Sequence, residues 1–397
     1  MQTFLTFRTL VFFFLLISAA HSGQIVRQLG IQIGPYPSGP RNAITDVKGV
    51  RIGHVTLISE GASKLEVGKG PVRTGLTVVV PTEGDLWTSK VPAGAYVANG
   101  NGEAMGLAWL QESGALEGPI ALTNTLSVGA AQRGLLDWTL RRHPSVSSLM
   151  PVVLECDDST LNDIHGQHVK PDHISEAIEK ARVDFAEGSV GAGTGMAAFD
   201  FKSGIGSSSR IVSIKNARGK AQKYTVGVLV NLNIGTGTRG IFRLGGVAMA
   251  KAIPDLMPIE KEFRAEKGAG SAVFVVATDA LMDARQLNRL AKRVMYSLGR
   301  LGVVVYNGSG EFAVAFTTAN RISTESDKAI VSLQTVTDSA MNNFFEAVVD
   351  AGEEAAINSL LESKTMDGRD GNKVFALPHD RVKKLLLEMP QTSVLKK

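Results

Sequence analysis

Cysteine is nearly absent. Cys156 is the only one in 397 residues, which excludes an intramolecular disulfide and a cysteine-built zinc site. The seven histidines form no His-x-x-x-His or His-Glu-x-x-His pattern. His165 and His168, three apart beside Asp163, could suggest a metal, but without either pattern none is expected. Excess charge is also missing: 42 basic against 38 acidic residues leave a formal +4, which argues against a nucleic-acid partner. After residue 22 no apolar run reaches the length of a membrane span. Gly191-Ala-Gly193-Thr-Gly195 lacks the Rossmann spacing and the lysine of a P-loop, so it reads as a tight turn and no cofactor is expected. No Gly-x-Ser-x-Gly elbow is followed by an acid and a histidine, which disfavours a conventional serine triad.

Glycine is plentiful instead. Its 42 copies fall between periodic segments and indicate many tight turns joining strands. The first 22 residues run from Arg8 through the apolar stretch Leu10 to Ile17 into Ala20-His-Ser22, the pattern of a cleavable export signal. The expectation is an exported protein, periplasmic or secreted, with no membrane segment once residues 1–22 are removed. Strand patterns follow at Val50 to Thr56 and Gly75 to Val80, with helical periods over 103–117, 130–142 and 173–185. Tyr224 to Asn231 and Ala272 to Ala277 read as buried strands. Val303 to Tyr306 reads as a strand answered by Ala313 to Phe316 across a Gly-Ser-Gly turn. Helical spacing recurs over 284–301, 338–363 and 379–388. Residues 252–269, with Pro254, Pro258 and a charged run, read as an exposed linker where cutting is tolerated.

Gly268-Ala-Gly-Ser271 lies between that linker and the buried strand. Read alone, it is a glycine-serine loop entering the core. It also suits a chain that cuts itself before Ser271, because a hydroxyl needs an adjacent base and a freed α-amine supplies one on the same residue. Such an amine titrates near pH 8, so a sizeable fraction is neutral at physiological pH.

Five motifs then occur in order: Asp46-Val-x-Gly49-Val-Arg-Ile-Gly-His54-Val-Thr56, Leu122-Thr-Asn124-Thr-x-Ser127-Val-Gly129, Gly188 to Met196, Gly204-Ile-Gly-x-Ser-Ser209-Arg210 and Gly270-Ser271. With them the chain resembles the L-aminopeptidase/D-esterase (D-amidase) peptidases, which include the β-peptidyl aminopeptidases, over roughly residues 40–390. The resemblance implies an α+β fold, a four-layer αββα sandwich similar to N-terminal-nucleophile hydrolases but differently connected. It implies one catalytic domain of two chains, 23–270 and 271–397, produced by autocleavage at Gly270-Ser271.

Site roles follow by match. Ser271 matches the nucleophile, Ser309 and Glu311 its polar supporters, and Asn233 an oxyanion donor. A turn between strands can bring Ser309 and Glu311 into one cleft, with Glu311 bonded to Ser309 and both orienting Ser271. Asn231 and Asn233 share a strand face, so preferring Asn233 rests on the match. Glu155 matches an acid that holds the substrate's free amine. Two residues on, where the β-aminopeptidase pattern has tyrosine, this chain has Asp157, and substrate preference turns on that difference.

The expected activity is hydrolysis of N-terminal aminoacyl amide, peptide or ester bonds through an acyl-enzyme on Ser271, by a homo-oligomer of cleaved pairs. The alternatives are an acyltransferase similar to the ornithine acetyltransferases, whose nucleophile is threonine, and a non-catalytic exported binding protein.

Overall fold

Two sheets lie face to face. The first orders Arg51–Ile58, Arg73–Val80, Ile120–Thr123, Val152–Glu155 and Ala104–Met105. The second orders Ile205–Lys215, Ala221–Asn233, Gly270–Thr278, Ser309–Thr317, Ser89–Gly100 and Ile322–Ser323. Parallel pairing joins Ile120–Thr123 to Val152–Glu155 and Gly270–Thr278 to Ser309–Thr317. The computed structural model describes residues 25–59, 64–215, 218–260, 270–324 and 330–387. The expected export segment 1–22 and residues 261–269 of the expected linker lie outside them.

Alternation along each strand sorts its side chains into layers. On Gly270–Thr278, Val273, Val275 and Ala277 pack with Phe312, Val314 and Phe316 against Val79, Ile120, Leu122 and Leu154 of the first sheet. Ala272, Phe274 and Val276 face the other way, onto Leu287, Leu290, Phe344 and Val348 of the helices Ala284–Val294 and Met341–Leu361. The outer face of the first sheet, with Leu76, Val78, Ala121 and Val153, is covered by the helices Val128–Leu140 and Asp172–Glu179. The result is the αββα sandwich. Each fully buried aliphatic or aromatic side chain contributes roughly 1.5–3 kcal/mol, and the inter-sheet set forms one continuous cluster.

Local signals explain several boundaries. Asp283 accepts from Gln286 N at 2.7 Å and starts the helix Ala284–Val294, since the cap supplies an acceptor that the first helical turn otherwise lacks. Left-handed Gly106 (φ +80°) and Gly114 (φ +66°) bracket Leu107–Ser113. The helix read over 103–117 is thereby shortened, with Ala104–Met105 and Ala115–Leu116 as short strands at its ends. The 173–185 helix is Asp172–Glu179 only, because the chain beyond extends to let Arg182 bridge Ile52.

The hairpin expected between Val303–Tyr306 and Ala313–Phe316 is absent. Val303–Tyr306 forms no strand, and Val305 adopts φ +60°. Both edges of Ser309–Thr317 are occupied, by Gly270–Thr278 on one side and Ser89–Gly100 on the other. No ladder is left for a third apolar run. The link between the parallel strands is instead a helical crossover, Ala284–Val294 and Tyr296–Arg300.

Among the described residues no helix is long and apolar enough to cross a membrane. Three or more metal-binding side chains do not cluster there either. His168 Nε2 lies 2.9 Å from Asp163 Oδ2, an ordinary paired histidine.

Candidate active site

Gly270–Thr278 is the second sheet's central strand, and Ser271 sits at its N-terminal end, buried at 4% exposure. Register sets its neighbours. Asn233 lies directly across from Ser271 on the antiparallel side, and Gly310 lies across on the parallel side. Asn231 faces Val273, two residues deeper. The two asparagines share a face, and register separates them. Asn233 Oδ1 accepts from Ala197 N at 3.2 Å, and its Nδ2 donates to Asp157 O at 2.8 Å. One hydrogen of that amide is therefore used, and the second has no acceptor among the described residues.

Alternation divides the residues around Ser271. Ser271 and Asn233 project with Val273 and Leu229 toward the first sheet, where Glu155 ends the Val152–Glu155 strand and Cys156 follows it. Ser309 and Glu311 pair with Gly270 and Ala272 and point to the helix side. There they line a small cavity with Gly270, Ile234, Val303 and Tyr306. They flank the Gly270-Ser271 bond, not the Ser271 hydroxyl. Ser309 Oγ donates to Tyr306 O at 2.7 Å, a turn contact, and also lies close enough to the Glu311 carboxyl to influence it. Among the described residues, neither Glu311 oxygen nor Ser271 Oγ has a hydrogen-bond partner of ordinary geometry. Burial pushes the Glu311 carboxyl up to about 7, with the nearby Ser309 hydroxyl opposing the rise.

Gly270 is required by space. A Cβ there would stand 2.7 Å from Asn233 O and 2.7 Å from Ile234 C. The backbone approach that puts Asn233 beside the Gly270-Ser271 bond leaves no room for a side chain.

Glu155 is 3% exposed. Its Oε1 accepts from Glu103 N at 3.0 Å and its Oε2 from Thr125 Oγ1. Burial raises its pKa, while those two donors oppose the rise. Asp157 is exposed, and its Oδ1 accepts from Ser159 N at 2.8 Å and from Ser159 Oγ at 2.5 Å. Only its backbone carbonyl reaches Asn233. Asp158 is buried, with Asn162 Nδ2 at 2.9 Å and Asn124 Nδ2 at 3.2 Å. Burial pushes it up to about 7.

Several neighbours escape the sequence reading. Cys156 stands beside Ser271, its thiol raised well above the ordinary range by burial and then by the Glu155 charge, with the Ser271 hydroxyl opposing. A protonated, fully buried thiol is chemically quiet. Asn124 and Thr125 do lie in one of the quoted motifs, which is the one signal that could have found them. Arg210, from another motif, is scaffold, fully buried with Glu354 at 2.6 Å.

Residues 42–374 match the profile of peptidase family S58. The chain belongs to that family. It is 41% identical over 381 residues to a β-peptidyl aminopeptidase of Sphingosinicella xenopeptidilytica, covering 93% of this chain and 92% of the relative. It is 40% identical over 394 residues to one of Sphingosinicella microcystinivorans, covering 96% and 97%. Among solved structures, a Pyrococcus horikoshii OT3 protein superposes at TM-score 0.84 with 49% identity, over 91% of this chain and 98% of that one. The L-aminopeptidase D-Ala-esterase/amidase of Ochrobactrum anthropi, described as a variant of the Ntn hydrolase fold, superposes at 0.81 with 32% identity and the same coverage. As an S58 peptidase the chain is a hydrolase of the aminopeptidase and amidase kind on that fold variant. The transferase and binding-protein alternatives are not favoured.

Proposed function

We propose that this S58 hydrolase matures by cutting itself between Gly270 and Ser271, and that Ser271 is the nucleophile of both maturation and turnover. The observation that carries the reading is the register, Asn233 and Gly310 on either side of Ser271, at the start of a buried strand. Ser271 Oγ attacks the Gly270 carbonyl, the C–N bond breaks, and water hydrolyses the ester to leave a Gly270 carboxylate and a free Ser271 amine. In turnover that amine takes the Oγ proton as Oγ attacks the substrate carbonyl, and passes it to the leaving amine. Water then releases the acyl group.

Ser309 and Glu311, on the Gly270 side of the bond, hold the freed amine. Glu155, buried and already given two donors, receives the substrate's ammonium. N-terminal sequencing of the purified protein tests the scheme, since it requires a chain that begins at Ser271. The same measurement on the other chain tests export, which requires a start just after residue 22. Assembly of cleaved pairs is supported by the exposed side chains of Trp109 and Met150, which line one surface pocket, and light scattering measures it.

Asn233 holds the oxyanion with its second amide hydrogen. Asn233→Ala should lower kcat by about 10²- to 10³-fold with little change in KM. Steady-state kinetics on processed protein checks this, and a loss confined to KM would sink the role.

Substrate preference follows from Asp157. Its exposed carboxylate adds negative charge beside Glu155, and both Asp157 and Glu103 raise the Glu155 pKa. A second positive charge on the N-terminal residue is therefore favoured. Lysyl anilide should exceed norleucyl anilide in kcat/KM by about five- to tenfold, and Asp157→Asn should erase the bias. Equal rates for the two substrates would refute it.

A further inference from the structure

A lysine with no exposed surface stands behind Asn233. Lys202 is 0% exposed, and a buried ammonium is costly unless its hydrogen bonds are met. Here they are. Lys202 Nζ donates to Ser203 O at 2.6 Å, Met196 O at 2.8 Å and Gly193 O at 3.2 Å. Three backbone carbonyls surround the amine, and among the described residues no carboxylate contacts it directly. Burial pulls the Lys202 amine down to about 7 against the nearby Asp158 charge, and the group is spent on fixing the course of the chain between Gly193 and Ser203.

What that segment holds is the candidate oxyanion donor. Ala197–Ala198 and Phe201–Lys202 form a two-residue hairpin in which Ala197 pairs with Lys202 itself. The Ala197 amide donates to Asn233 Oδ1 at 3.2 Å, and the Ala197 carbonyl accepts from Gly235 N at 2.9 Å. Ala197 thus grips the end of the Asn233 strand from both sides. Fixing Oδ1 as the acceptor also fixes which way Nδ2 points.

The hairpin is held against its own preference. Both loop residues, Phe199 (φ +56°) and Asp200 (φ +66°), are left-handed. Such a loop favours Asn-Gly, and a bulky side chain in that region is strained. The strain persists because the surroundings over-determine it. Phe199 stacks on Phe242 with centroids 4.3 Å apart. Asp200 accepts from Gly237 N and from Arg239 N, the latter at 3.0 Å. Lys202 closes the other end.

We propose that Lys202 is a positioning residue for catalysis: by binding the Gly193, Met196 and Ser203 carbonyls it braces the 197–202 hairpin, whose Ala197 amide sets Asn233 opposite Ser271. The proposal rests on the reading of Asn233 as the oxyanion donor. It assigns Lys202 no contact with substrate.

The test is a double-mutant cycle on kcat and KM for an alanyl anilide, with turnover counted per Ser271-terminated chain so that slow processing is not scored as slow chemistry. Lys202→Met keeps the length and apolar stem and removes the hydrogen-bonding amine. It should lower kcat by about 10- to 100-fold, the cost of a misplaced catalytic group, with KM within about twofold. In an Asn233→Ala background the same substitution should add less than about twofold, because the group it positions is gone. A kcat within twofold of wild type overturns the proposal, as do losses that multiply in the double variant, the mark of a general structural role. An unchanged kcat in Asn233→Ala alone overturns the oxyanion reading and the proposal with it. Should Lys202→Met fail to accumulate folded, Lys202→Arg, which keeps charge and donors but alters their geometry, takes its place in the same cycle.

Discussion

Ser271→Ala is expected to stop maturation and turnover together. The protein should remain one chain on a denaturing gel, and hydrolysis of aminoacyl anilides should fall by about five to six orders of magnitude, the scale seen when a serine nucleophile is removed. The substitution is unusually clean. Ser271 Oγ has no hydrogen-bond partner of ordinary geometry among the described residues, and the buried Cys156 thiol beside it keeps its bond to the Asn231 carbonyl when the hydroxyl is gone. Alanine keeps the strand register that holds Asn233 and Gly310 on either side. The melting temperature should stay close to that of uncleaved wild type, which separates a lost nucleophile from a lost fold. A fragment beginning at residue 271, or turnover above the uncatalysed rate, would remove Ser271 from the role.

The strand that carries Ser271 was readable because six consecutive apolar residues after Gly-Ser fit a buried strand and little else. Asn233 could not be told from Asn231 in the sequence. Period 2 puts both on one face, and only the ladder register decides which meets Ser271. The same limit explains Val303–Tyr306, whose apolar run has strand character. Its failure to pair reflects where Ser89–Gly100, more than two hundred residues earlier, has already docked. The division of Ser271 from Ser309 and Glu311 onto opposite faces follows from a parallel register that no local pattern announces. Lys202 carries no signal at all. A lysine after Asp-Phe reads as surface, and its burial depends on three carbonyls supplied by a turn up to nine residues away.

Glu311 supplies the second large effect, and its sign runs opposite in stability and in activity. In the uncleaved chain the carboxyl is fully buried, without a hydrogen bond of ordinary geometry among the described residues, and pushed up to about 7 from an ordinary 4.5, chiefly by burial and against the nearby Ser309 hydroxyl. A raised pKa means that the folded state keeps its proton where the unfolded state has lost it. The stability linked to that proton is complete below about pH 4.5 and is lost as pH rises through about 7. At about 1.4 kcal/mol per pH unit the loss is on the order of 3 kcal/mol.

Glu311→Gln, made in the uncleavable Ser271→Ala chain, should therefore flatten the fall in stability between pH 4.5 and 7 and leave the protein more stable above that range. Urea unfolding at pH 5 and pH 8 measures it. The raised carboxyls of Asp158 and Glu155 are present in both chains, so they cancel in the comparison. In an otherwise wild-type background the same glutamine should cut turnover by about 10²- to 10⁴-fold, the range for a lost acid-base partner. The reason is charge. Once Ser271 has a free amine, a carboxylate beside Gly270 can hold it and tune its proton affinity, and a neutral amide cannot. An isosteric change that stabilises the precursor while disabling the processed enzyme would mark Glu311 as a group kept at a cost to the fold for use after cleavage. If stability follows the same pH slope in both chains, or if the glutamine variant processes and turns over normally, Glu311 is a buried acid with no part in the reaction.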